Sequence, residues 1–193
     1  GIGELYSSGL LYDGPWSKVY RVRCGNSSPN DAGSYALKVR SNSASDACAA
    51  ENMLRREAQL TREVRHSNLV TVLSAQLDRG PCWTLMPYIE GATLRQVLQA
   101  GYQIPVVHAV WVVRQVAQAL AALHEAGWMH ADLKPENILV SASGHATLID
   151  LGMSRRPSNS QSAKASQHFA GTLEYAAPEY LLSAGSVYFG SDL

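Results

Sequence analysis

Apolar and polar residues alternate over 18–23 (KVYRVR) and 35–39 (YALKV), the two-residue period of strands, and the turn-rich CGNSSPNDAGS joins the two runs. Residues 45–64 change period: Ala, Glu, Arg and Leu dominate without Gly or Pro, which predicts a helix opened by Ser45 or Asp46. NLVTVL (68–73) and WTLM (83–86) return to strand character. Past Glu90, TLRQVLQAG predicts a short helix ending at Gly101. Val106, Val110, Val113, Ala117, Leu120 and His124 then recur at helical spacing, with Pro105 at the start and Gly127 just past the end, predicting a helix over 106–126. NILVSASGHATLID reads as a hairpin turning at Ser143-Gly144. From Met153 to Ala170 the chain holds five serines (154, 158, 160, 162, 166), two arginines and almost nothing apolar, the composition of a functional or mobile loop. The plan is a strand-rich region, a crossing near 87–91, and a helical region carrying a polar loop.

Composition narrows the setting. The 193 residues are 46% apolar and 17% charged, enough to build a core and too little charge for disorder. The net charge of zero calls for neither nucleic acid nor a membrane surface. Cys24, Cys48 and Cys82 are far apart and form no C-x-x-C pair, which argues against a disulfide framework or zinc site and for a reducing compartment. No apolar run approaches the ~18 residues of a membrane span, and the N-terminus has no signal-peptide pattern. A soluble cytoplasmic domain is expected.

HADLKPEN (130–137) packs an acid, a cation and a carboxamide into six residues. Phosphoryl transfer from ATP needs such a set: a hydroxyl to be oriented, Mg²⁺ to be held on the phosphates, and developing charge to be neutralised. Asp132 can accept the hydroxyl proton, Lys134 can face the transferred group, and Asn137 can ligate Mg²⁺ through its amide oxygen. Magnesium takes few protein ligands, so one more carboxylate suffices. Asp150, in IDLG at the end of the hairpin, supplies it.

From about residue 10 to the C-terminus, these motifs resemble a eukaryotic-type Ser/Thr protein kinase domain. HADLKPEN resembles the catalytic loop, DLG the metal-binding DFG element with Leu151 in place of Phe, and GTLEYAAPE (171–179) the end of the activation segment. YALK puts Lys38 at the strand-three lysine, and Glu57, nine residues before HSNLV, matches the helix-C glutamate that pairs with it. The resemblance implies an α+β, two-lobed fold. An antiparallel β-sheet lobe with helix C would span 1–89, and a mainly helical, incomplete lobe 90–193, with ATP between them. It implies protein substrates bearing a Ser or Thr acceptor, ATP and Mg²⁺ as cofactors, and no nucleic-acid partner; oligomeric state is left open. Leu11, Gly14, Val19, Ala36 and Leu139 would contact the nucleotide. Met86-Pro87-Tyr88-Ile89 would be gatekeeper and hinge, with backbone groups bonding adenine, and Thr172 would contact Asp132 and Lys134.

Four departures qualify the resemblance. Tyr12 and Ser17 replace two glycines of the phosphate-binding loop, leaving Gly14, with Trp16 as the aromatic tip; weaker or more selective ATP binding is expected. Ala131 replaces the arginine of H-R-D, which normally receives a phosphorylated activation loop, so activity independent of such phosphorylation is expected. Leu151 is a harmless change in the hydrophobic stack, whereas polar Thr61 is expected to loosen helix C. The sequence stops at GSDL (190–193), where Asp192 resembles the start of the central helix of the large lobe, so a truncated domain of marginal stability is expected. Two other classes stay open: a pseudokinase acting as a nucleotide-binding scaffold, and a small-molecule phosphotransferase, which GTLEYAAPE disfavours.

Overall fold

The structure is a computed structural model and describes residues 4–25, 33–101, 103–157, 172–178 and 189–192. Gly1–Gly3, four serines of the polar loop (158, 160, 162, 166), Gly171 and Glu179 lie outside the described residues. The architecture is α+β. The chain forms two compact units, one of Gly1–Arg62 with Val70–Glu90 and one of Glu63–Leu69 with Gly91–Leu193.

The first unit is a five-stranded antiparallel sheet in the order β1-β2-β3-β5-β4 together with helix α1. Its elements are β1 (Leu5–Asp13), β2 (Ser17–Cys24), β3 (Tyr35–Arg40), α1 (Ala47–Glu63), β4 (Ser74–Gln76) and β5 (Trp83–Pro87). The two alternating runs became β2 and β3, with Ala36 and Lys38 buried on one face of the sheet and Val22 on the other. Helix α1 starts at Asp46, whose Oδ1 accepts the Ala49 N–H at 2.9 Å; of the two candidate caps this is the one bonded to the helix. Its buried stripe (Ala50, Leu54, Glu57, Ala58, Thr61) follows helical spacing, and full burial of Leu54 stabilises by ~2 kcal/mol. The Thr61 hydroxyl donates to the Glu57 carbonyl at 3.1 Å, so this polar group is satisfied within its own helix. Strand β1 carried no strand signal, since nearly every position of LYSSGLLYD is exposed and no alternation was selected there.

The second unit contains β6 (Ala92–Thr93), α2 (Leu94–Gln99), α3 (Val106–Glu125), β7 (Ile138–Val140) and β8 (Ala146–Leu148), with the three strands antiparallel in that order. The hairpin forms as expected, with Gly144 at φ 78° in its turn. A Cβ at Gly91 would stand 2.5 Å from the Val140 carbonyl oxygen, so only glycine permits the chain to pass β7 there. Gly127, at φ 77°, ends α3 in the left-handed conformation.

Two expectations are corrected. Residues 68–73 form no strand. Asn68 is drawn into the second unit instead: its Nδ2 donates to Gln115 Oε1 at 3.0 Å and to the Ala146 carbonyl at 2.7 Å, and its carbonyl accepts the Leu148 N–H at 2.8 Å. These buried polar partners outweigh the apolar run. And α3 is, by length and composition, a helix apolar enough to cross a membrane. Counting uninterrupted apolar residues missed this, because His108, Arg114 and Gln115 interrupt the run without offsetting its average. One face of α3 (Gln115, Val116, Ala119, Leu120, Leu123) is buried in its own unit, as in a core helix, while Val106, Val107, Val110, Trp111 and Val113 are exposed.

Candidate active site

In the second unit, Pro135–Asn137 form a single 3₁₀ turn opened by Pro135, whose missing N–H costs nothing at that position. The turn returns Lys134 and Asn137 to Asp132. The Asp132 carboxylate receives Lys134 Nζ at 2.7 Å, Asn137 Nδ2 at 3.0 Å, and the Thr172 N–H and Oγ1 at 3.1 and 3.0 Å. Lys134 Nζ also donates to Thr172 Oγ1 at 2.7 Å. These donors fix the direction of the carboxylate, so that a hydroxyl placed beside it would meet a positioned proton acceptor.

Asn137 spends its NH₂ on Asp132, donating also to that residue's carbonyl at 2.8 Å, which leaves Oδ1 as an acceptor. Its backbone carbonyl takes the Ile149 N–H at 2.8 Å, tying the segment of Asp150 to the loop. Asp150 is left-handed at φ 60°, as is Ala131 at φ 64°, conformations that cost a non-glycine residue roughly 1 kcal/mol. Buried contacts repay this cost. His130 is fully buried; its Nδ1 accepts the Asp132 N–H at 3.3 Å, so by partner geometry its Nε2 carries the proton, 3.2 Å from the Ile149 carbonyl. Burial pushes the imidazole below its ordinary pKa of 6.5, against the pull of Asp192, Asp150 and Asp132, so the ring is neutral.

Asp192 is the residue whose part sequence reasoning missed. Its side chain, 1% exposed, accepts the backbone N–H of His130 and of Ala131, each at 2.8 Å, and faces His124 Nε2 at 2.9 Å. The GSDL context that singles it out does not show these bonds, since their donors are 61 and 62 positions away. Arg95 of α2 bonds Glu136 at 2.7 Å and the Tyr175 hydroxyl, joining α2, the loop and the turn after Thr172. Although burial opposes it, this guanidinium holds the Glu136 carboxyl below its ordinary value.

In the first unit, Lys38 of β3 meets Glu57 of α1 at 3.3 and 3.4 Å, the side chains 8% and 1% exposed. Strand register puts Val19 opposite Lys38, and Ala36 opposite Met86. Leu11 is the extra residue of a bulge in β1 and is exposed. In the hinge stretch, Pro87 has no N–H and the Tyr88 N–H already donates to the Ser34 carbonyl at 2.9 Å. Ile89 therefore keeps the amide that no residue takes among those described. Thus the structure brings together Lys38 with Glu57 in one unit, and Asp132, Lys134, Asn137 and Thr172 in the other. Leu139 lies half-buried on β7 and Asp150 follows β8.

The family model for the protein kinase domain matches residues 9–192. The chain belongs to the protein kinase domain family. Among curated relatives, the kinase domain is 36% identical over 147 residues to serine/threonine-protein kinase PknD of Mycobacterium tuberculosis, covering 75% of this chain and 22% of that protein. It is 34% identical over 129 residues to serine/threonine-protein kinase PknB of Mycobacterium leprae, covering 65% of this chain and 21% of that protein. A putative CBL-interacting protein kinase 13 of Oryza sativa subsp. japonica matches at 29% over 192 residues, covering 100% of this chain and 37% of that protein. The kinase domain thus spans from about a fifth to over a third of the length of these relatives.

Proposed function

We propose that the chain acts as a protein serine/threonine kinase, moving the γ-phosphoryl group of ATP to Ser or Thr hydroxyls of protein substrates. The observation that carries this reading is the Asp132 carboxylate, held by Lys134, Asn137 and Thr172 with bonds of 2.7–3.1 Å. Asp132 orients the acceptor hydroxyl and takes its proton, and Lys134 stabilises charge on the transferred group. Thr172 fixes both and borders the acceptor. Lys38, set by Glu57, takes the α- and β-phosphates, while Val19 and Ala36 contact adenine and Ile89 bonds its edge. The donor chemistry fits magnesium: the Asn137 amide oxygen is free of the NH₂ contacts to Asp132, and Asp150 adds a carboxylate. No cluster of three or more His, Cys, Asp or Glu competes for another metal among the described residues. Asn137 and Asp150 would hold Mg²⁺, which when bound offsets phosphate charge.

Asp132→Asn tests this reading. The expected outcome, measured where both forms are folded, is a 10²–10⁴-fold fall in kcat, roughly the contribution of a general base. Equal phosphorylation of a generic protein substrate by both forms overturns it. A scaffold without transferase activity is the second reading, favoured by Tyr12 and Ser17 at glycine positions; it requires that wild type and Asp132→Asn be equally inactive.

Ala131 supports activity that does not wait for activation-loop phosphorylation, since a methyl group cannot pair with a phosphate. Treatment with phosphatase is expected to leave the rate unchanged, and a large loss would refute this. The free thiols Cys24, Cys48 and Cys82 support a cytoplasmic setting.

A further inference from the structure

The side chain of Tyr12 lies over Gly14. A Cβ built on Gly14 would fall under 3.0 Å from the Tyr12 hydroxyl oxygen, from a ring carbon and from the carbon bearing the hydroxyl, so the phenol occupies the space beside the glycine. Gly14 is accordingly buried while Tyr12 itself is 53% exposed. Beneath the ring the turn is closed, with the Gly14 N–H donating to the Ser17 carbonyl at 3.0 Å, and Pro15 offers no N–H. Register fixes which face this is. Tyr12 stands opposite Val19, and Val19 opposite Lys38, so directly paired side chains put all three on one face of the sheet. Nothing polar anchors the ring: among the described residues the Tyr12 hydroxyl has no hydrogen-bond partner. It rests on van der Waals contact alone and can swing to solvent at small cost.

We propose that Tyr12 is a cover on the phosphate-binding turn, admitting the phosphates of a nucleoside triphosphate only when its phenol leaves Gly14. This rests on the kinase reading above and deepens it by naming the residue that sets nucleotide affinity. The apparent affinity for ATP is the intrinsic one multiplied by the fraction of molecules with the ring displaced. Nucleosides lacking phosphates do not need that displacement. Tyr12 is a positioning residue here, since it acts through access to Gly14.

The test is titration of the chain, Tyr12→Gly and Tyr12→Phe with MgATP and separately with adenosine. Tyr12→Gly is expected to bind MgATP about tenfold tighter, corresponding to a displaced fraction of about a tenth. Adenosine affinity is expected to be equal in all three, which also shows that the variants are folded, and Tyr12→Phe, which keeps the ring, to match wild type. Equal or weaker MgATP binding by Tyr12→Gly overturns the cover while leaving the kinase reading intact. So does a parallel gain for adenosine, which would place the ring against the base. Failure of every variant to bind either ligand overturns both. A second measurement needs no ligand: Gly14→Ala is expected to lower the melting temperature in the wild-type background, where its methyl meets the phenol, and not when combined with Tyr12→Gly. Equal losses in both backgrounds overturn the contact.

Discussion

In the first unit, a buried ammonium and a buried carboxylate face each other from a strand and a helix nineteen positions apart, at 3.3–3.4 Å. In the second, Asp132 collects its donors from within five residues and from Thr172, at 2.7–3.1 Å. The contrast lies in what holds each group. Lys38 and Glu57 meet only when α1 lies against β3, so their separation reports the docking of a whole element. Asp132, Lys134 and Asn137 meet because one 3₁₀ turn folds them together, and that geometry is mostly local. Tyr12 and Ser17 depart from the family pattern in the first unit, whereas the loop keeps Asp132, Lys134 and Asn137 and departs only at Ala131.

The largest expected effect tests whether the loop is as local as this contrast implies. Asp192→Ala strands the buried His130 N–H, the half-buried Ala131 N–H and His124, and is expected to destabilise the second unit by about 4 kcal/mol. Hydrogen exchange read residue by residue checks it: protection should fall in the loop and α3 and hold in β2 and β3. Uniform loss would erase the contrast. Next, Glu57→Gln weakens the partner of buried Lys38, at a cost of about 2 kcal/mol, visible as a lower denaturation midpoint. An unchanged midpoint would mean that the pair does not report docking.

His130 gives a third, pH-dependent handle. Its folded pKa lies below 6.5, so the unfolded chain binds the extra proton first and stability falls as pH drops below 6.5, by up to ~1.4 kcal/mol per unit until the folded pKa is reached. Denaturation at several pH values between 7 and 5 should show this slope, and His130→Gln should reduce it. Smallest is Thr84→Val on β5. The Thr84 hydroxyl is buried and has no partner among the described residues, so its removal is expected to be neutral or stabilising by up to ~1 kcal/mol. A loss of more than that would reveal a partner for the hydroxyl.

Legibility followed periodicity and local spacing. Helices α1 and α3 were readable because each buries one face at a fixed period, and β2, β3 and the 138–148 hairpin because short runs rich in apolar residues are bounded by turn residues. The 130–137 loop was readable because Asp132, Lys134 and Asn137 lie within five positions of one another. What stayed hidden was set by distant or exposed partners. Strand β1 buries almost nothing and so shows no alternation. The 68–73 run looked like a strand until Asn68 found Gln115 and Ala146. The hinge donor depends on Ser34, which takes the Tyr88 amide, and the place of Asp192 depends on two N–H groups that no motif displays.

The reach of Asp192 also sets an order of events in synthesis. At roughly 5–20 residues per second, the 61 positions between Ala131 and Asp192 take about 3–12 s to translate. The 130–137 loop is therefore translated with its motif complete before the carboxylate that tethers its backbone exists. The nascent chain can fix the backbone at His130 and Ala131 only after that distant carboxylate emerges.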